Sequence, residues 1–124
     1  MKPQEIFVRA PGSFVLVGGS VDMDAPELED GPVRLWSNAH CVCVGTRSEV
    51  DGDTQLVVGS DVVHSTLNLA FAGEIITDSH RLVVSDAELN VLIEADVHSR
   101  RTFLSIGTND PREPTLIVID VQDR

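Results

Sequence analysis

The sequence predicts an all-β protein, an antiparallel sandwich of about eight to ten short strands in one domain spanning residues 1–124. Three observations carry that expectation. Short β-branched and apolar runs, each bounded by Gly, Pro, Asp, Asn or Ser, recur along the whole chain, which is the pattern of a many-stranded antiparallel domain. Several runs alternate with a period of two, as successive strand side chains must when one face is buried. The apolar content of 42% is rich in Val, Leu and Ile, with one Trp, four Phe and no Tyr, enough to build an aliphatic core and to exclude wholesale disorder.

Taken in order, the first two strands fall near 5–9 and 14–18, separated by Pro11-Gly12 and closed by Gly18-Gly19. The long run AHCVCVGTR gives a strand over 39–47, and TQLVVG gives one over 54–59 after the turn-forming stretch SEVDGD. Strands over 62–72 and 74–77 follow, with Leu67, Leu69 and Phe71 on one face and Thr66, Asn68 and Ala70 on the other. Next come 81–85 and 89–98, where alternation turns Val91, Ile93, Ala95 and Val97 inward and Glu94, Asp96 and His98 to solvent. Strands over 101–107 and 115–122 complete the set, Ile117, Ile119 and Val121 opposing Val118, Asp120 and Gln122, with Asp120 facing water. Phe7, Phe14, Phe71 and Phe103 are the expected core anchors.

The longest stretch without strand character is GSVDMDAPELEDGPVRLWSN, residues 19–38. Pro32 is placed to start one helical turn carrying Val33, Leu35 and Trp36. The same connection concentrates Asp22, Asp24, Glu27, Glu29 and Asp30, and loops of this length in compact domains are often functional.

Charge bounds the function. The chain carries 20 Asp plus Glu against 9 Lys plus Arg, a formal net charge of −11. Such a balance opposes direct binding to nucleic acid or to an anionic membrane and favours basic surfaces. No stretch approaches the roughly 20 apolar residues of a membrane span, and the N-terminus lacks the apolar run and cleavage site of a signal peptide. The expected compartment is the cytosol, where Cys41 and Cys43 stay reduced.

Catalytic constellations are not legible. No Ser sits in a G-x-S-x-G elbow, and two carboxylates act as acid and base only in a shared cleft that separates their pKa values. Cys41 and Cys43 project from one strand face and His40 from the other, so a metal site would need two distant ligands, from His64, His80 or His98. The thiols read as small core residues, and neither metal nor cofactor is expected. Gly18-Gly19-Ser20 lacks the partners of a phosphate loop and reads as a tight turn. Asp22, Asp24, Asp51 and Asp53 do not complete a calcium loop, and Arg100-Arg101 reads as a solvated hairpin tip.

The carboxylates are the remaining signal. Alternate strand carboxylates stand about 6.6 Å apart, inside a Debye length of roughly 8 Å, so their fields reinforce one another. The residues expected to meet a partner are Asp22, Asp24, Glu27, Glu29 and Asp30 with Glu94 and Asp96, and Trp36 as apolar anchor, Trp being enriched at interface hot spots. A solubilising role for the acidic surplus and a core role for Trp36 are the competing readings.

The segments IFVRAPGSFVLVGG, AHCVCVGT after a Trp-containing connection, HRLVVSD and the closing TLIVIDV resemble the competence protein J family and similar small immunity-like proteins. These are bacterial β-sandwich proteins whose known member inhibits a nuclease that cuts DNA entering the cell. The resemblance implies a sandwich and an inhibitor-like role, and transfers no individual residue. The expected function is therefore a non-catalytic acidic protein that masks a basic partner such as a nuclease. The alternatives are an assembly protein pairing with copies of itself through exposed strand edges, and a small-ligand or metal-binding domain.

Overall fold

The computed structural model describes residues 1–62 and 66–122. Within them ten strands form two five-stranded sheets. They are β1 (Gln4–Val8), β2 (Phe14–Gly18), β3 (Leu35–Ser37), β4 (Cys41–Gly45), β5 (Thr54–Gly59), β6 (Asn68–Ile76), β7 (Arg81–Asp86), β8 (Val91–Asp96), β9 (Arg101–Thr108) and β10 (Leu116–Gln122). A 3-10 turn, Pro11–Ser13, links β1 to β2. Sheet A has the order β1-β5-β10-β9-β6 and sheet B the order β3-β4-β2-β7-β8. All neighbours are antiparallel except β5 and β10, which run parallel with Ile117 beside Leu56. The all-β sandwich expected from alternation is thus observed, with one parallel pair inside an otherwise antiparallel arrangement.

Alternating side chains from both sheets fill the space between them. Val15, Val17, Val42, Val44, Leu82, Val84 and Ile93 of sheet B meet Leu56, Val58, Ile75, Leu104, Ile106, Ile117, Ile119 and Val121 of sheet A. This layer is entirely aliphatic. Branched side chains already fill the roughly 10 Å between packed sheets, which leaves little room there for rings. Phe7 and Phe103 accordingly project outward, 66% and 37% exposed, while Phe71 packs at the edge of the core and Phe14 on the far side of sheet B. The expectation that all four phenylalanines anchor the core is corrected on this point.

Two bulges correct the assignment of faces. In β6 the register with β9 shifts between Leu69 and Phe71, so Leu69 is exposed while Ala70 and Phe71 pack on the core. One continuous strand replaces the two expected over 62–72 and 74–77; residues 63–65 of that expectation lie outside the described residues. In β8 the register skips Leu92, which turns Leu92 to the core and Val91 to solvent while Ile93 and Val97 stay buried. An extra residue on one strand of a pair has this effect because the side-chain period is two. Asp120 is half-buried instead of facing water, with its Oδ1 shielded and lacking a hydrogen-bond partner. The helical turn expected at Pro32 does not form; Leu35–Ser37 instead pairs with β4 as an edge strand.

Capping and turn chemistry hold the ends. Asp86 accepts the backbone N–H groups of Glu88 and Asn90 at 2.9 and 3.0 Å and closes the β7–β8 turn. Asp110 accepts from the amides of Glu113 and Arg112, which lower its carboxyl below the usual range and set the β9–β10 connection. Among the described residues no helix is long and apolar enough to cross a membrane.

Leu104→Ala removes a fully buried side chain and is expected to cost about 2–5 kcal/mol, read as a lowered urea midpoint with an unchanged slope. Phe7→Ala, at an exposed ring, is expected to cost less than about 1 kcal/mol.

Candidate functional site

Strands β2 and β4 are apolar on both faces. Val15 and Val17, Val42 and Val44 point into the sandwich, which leaves Leu16, Cys41 and Cys43 on the outer face of sheet B. There they are nonetheless buried, because Phe14, Met23 and Trp36 pack over them as a second, smaller cluster. Met23 and Trp36 belong to the stretch between β2 and β4, so the acidic connection is laid across the outer face of sheet B. Gly18 makes room for it: a Cβ at this position would run into Met23 Sδ and come within 2.7 Å of the His40 carbonyl.

Four side chains fasten the connection by its carbonyl oxygens. Ser79 Oγ donates to Gly19 O at 2.7 Å, Asn38 Nδ2 to Asp24 O at 3.0 Å, and Trp36 Nε1 to Glu29 O at 2.8 Å. Arg112 donates to Gly31 O. Arg34 locks the far end: its backbone N–H donates to Pro111 O, and its guanidinium to the carbonyls of Thr46, Arg112 and Ser13. Gly45 is what allows this approach, since a Cβ there would lie 2.6 Å from Arg34 Cβ. Backbone carbonyls are strong acceptors that need donors, and these residues supply them at the protein surface.

With Met23 and Trp36 turned down and four of its carbonyls held, the loop presents Asp22, Asp24, Glu27, Glu29 and Asp30 to solvent. Asp22 accepts from Ser20 Oγ at 2.7 Å. None of the five carboxylates joins an ion pair among the described residues; the nearby Arg34 and Arg112 are spent on carbonyls. Glu94 and Asp96 project from the same outer face at the opposite edge of sheet B. Their charge is partly compensated, because Arg81 pairs with Glu94 and stands across from Asp96 in the register. Asp53, in the other acidic stretch, is paired with Arg9 at 2.7 Å. Glu94 and Asp96 thus lie on the outer face of sheet B, as Trp36 does. The five loop carboxylates lie on the connection that Trp36 fastens and that runs on to the β9–β10 turn, and those five carry no ion pair among the described residues. Trp36 is half-buried and serves as a fastener of the loop.

Sequence reasoning did not single out Met23, Arg34, Asn38, Ser79 or Arg112. An isolated Asn-x-His-Cys or Ser-His-Arg carries no signal that its side chain will reach a carbonyl 14 or 60 residues away. Cys41 and Cys43 are fully buried under the loop, and burial pushes their thiols up to about 11 and about 12, with neighbouring Cys41 adding to the effect at Cys43. Thiols held neutral in this way are poor nucleophiles and poor metal ligands. No group of three or more His, Cys, Asp or Glu among the described residues is arranged to hold a metal ion; His64, one of the distant ligands the sequence offers, lies outside them.

A two-sheet sandwich carrying a fastened acidic loop on one outer face thus describes this chain. No protein-family model and no curated protein matches it. Among solved structures it is similar to ComJ, the inhibitor of the DNA-degrading activity of NucA from Bacillus subtilis, with a TM-score of 0.67 over 100% of this chain and 96% of that one. At 12% identity the likeness is one of fold, and it bears out the resemblance drawn from the strand segments.

Replacing Trp36 by Phe keeps a ring and removes the bond to Glu29 O, and Asn38→Asp keeps an oxygen to accept from the amides of His40 and Cys41 while removing the bond to Asp24 O. Each lost bond, at about 1 kcal/mol, is expected to raise labelling of Cys41 and Cys43 by a thiol reagent about fivefold through loop opening. The raised thiol values also set a pH dependence. Below pH 9 both states hold the thiol protons; above it the unfolded chain releases them first, so stability is expected to fall from about pH 9 until the folded thiols titrate at about 11 and 12. Urea midpoints of the protein and of a Cys41→Ala, Cys43→Ala variant across this range check the sign.

Proposed function

We propose that this chain is a non-catalytic inhibitor-like protein of the cytosol that masks a basic surface on a protein partner, a nuclease being the foremost candidate. The observation that carries the reading is the loop of residues 19–34. Five carboxylates without ion-pair partners among the described residues are held in one place, by tethers to carbonyl oxygens and by an apolar underside. Like charges gathered on a rigid support repel one another and lower stability, and they generate a concentrated negative field that draws a cationic surface. The fold it shares with an inhibitor of a DNA-degrading activity supports the same reading. The cleft of an enzyme that acts on DNA is lined with cations for phosphates, and a fixed row of carboxylates presents a comparable charge.

In this reading the loop steers the encounter, and Glu94 and Asp96 extend the field across the same face. Rigid carriers bind with little ordering cost, which makes the tethers part of the binding function.

Exchanging Asp22, Asp24, Glu27, Glu29 and Asp30 for Asn or Gln is expected to slow association with a purified NucA-type nuclease of the source organism by about tenfold or more at low salt. The difference should shrink as salt is raised. Stopped-flow measurement at several ionic strengths checks both; an unchanged rate at low salt removes the loop from the mechanism.

A further inference from the structure

Charge supplies steering, whereas slow dissociation needs desolvated apolar contact at the centre of an interface. Trp36, the anchor expected from sequence, is turned under the loop and occupied by Glu29 O. Phe7 and Phe103 belong to sheet A, and both point outward from it. A partner drawn to the outer face of sheet B meets neither of them.

The loop itself carries two exposed large apolar side chains. Leu28 is 49% exposed and Val33 is 45% exposed. Leu28 sits between Glu27 and Glu29, and Val33 follows Glu29, Asp30 and Pro32. Both stand on fixed backbone: the residue after Leu28 is held through Glu29 O by Trp36, and the residue after Val33 through Arg34 N by Pro111 O. Met23 and Trp36 of the same segment are turned down onto Leu16, Cys41 and Cys43, which they help to bury. Leu28 is left outside between Glu27 and Glu29, and Val33 between Pro32 and Arg34, on a loop whose five carboxylates have no ion-pair partner among the described residues.

We infer that Leu28 and Val33 are the apolar anchors of the binding surface, and that the partner offers an apolar recess rimmed by Lys or Arg. Charge complementarity selects this occupant. A second copy of the chain would set Glu27, Glu29 and Asp30 against their own likes, and a plain hydrophobic surface would leave those carboxylates desolvated and unpaired, which is costly. A basic rim pairs them and lets the recess take the two side chains. Side chains whose backbone is already fixed lose little freedom on docking, so their contribution falls on the dissociation rate.

This inference rests on the function proposed above, and the experiment separates the two. Leu28→Ala, Val33→Ala and the double variant are compared with the Asn/Gln loop variant for binding to the purified NucA-type nuclease by surface plasmon resonance. Thiol labelling of Cys41 and Cys43 at the wild-type rate shows that the loop remains seated. The expected result is dissociation faster by about tenfold in the double variant with association unchanged, and slower association in the charge variant. Wild-type dissociation in the double variant, with the charge variant still slow to associate, overturns the anchors and leaves the electrostatic reading standing. Absence of a complex with wild-type protein overturns the nuclease reading and the anchors with it.

Discussion

Strands β2 and β4 are hydrophobic on both faces, and much of this molecule follows from that. The runs Phe14–Gly18 and Cys41–Gly45 have no polar residue to offer to water on the outer side of the sheet. One face is satisfied by the opposing sheet. The other must be covered by something that is not a sheet, and the segment leaving β2 is the nearest available. The acidic connection is therefore pulled onto the protein surface by the cost of exposing Leu16, Cys41 and Cys43, with Met23 and Trp36 as the covering side chains.

A loop held in this way has a fixed polarity. Met23 and Trp36 face the sheet while Leu28 and Val33 stay exposed, four of its carbonyls are taken up by Ser79, Asn38, Trp36 and Arg112, and its carboxylates face solvent. Arg34 and Arg112 bond to main-chain oxygens, so they stabilise the path of the loop while its acidic side chains form no ion pair among the described residues. Structural burden and electrostatic display thus fall on different atoms of the same segment. That division is what allows a charged surface to be rigid without being neutralised.

Sheet A shows the complementary solution. Its inner face completes an aliphatic core; Phe7 and Phe103 are displaced to the outside because branched side chains already fill the space between the sheets, and Phe71 packs at the margin of the core. At the β1 edge, Gln4 reaches the carbonyl of Glu94 on sheet B at 3.2 Å, which stitches the two layers together where β1 and β8 end their sheets. The β6 and β8 bulges adjust the remaining edges by one residue each.

The sequence by itself determined that the chain is a sandwich of short strands, that β2, β4, β5, β7, β9 and β10 lie close to where they are found, and that carboxylates gather on the 19–38 connection. These follow from alternation and turn residues, which act between neighbours two to four positions apart. Tertiary structure alone decided that Leu35–Ser37 is a strand, since three residues acquire that state only by pairing with β4. It also decided that Leu69 and Val91 face out, since each depends on a bulge set by the partner strand. The role of Trp36 and the choice of Asn38, Ser79, Arg34 and Arg112 as fasteners belong to the same class. Each depends on which carbonyl a distant segment brings within hydrogen-bond reach, and no local periodicity encodes that distance.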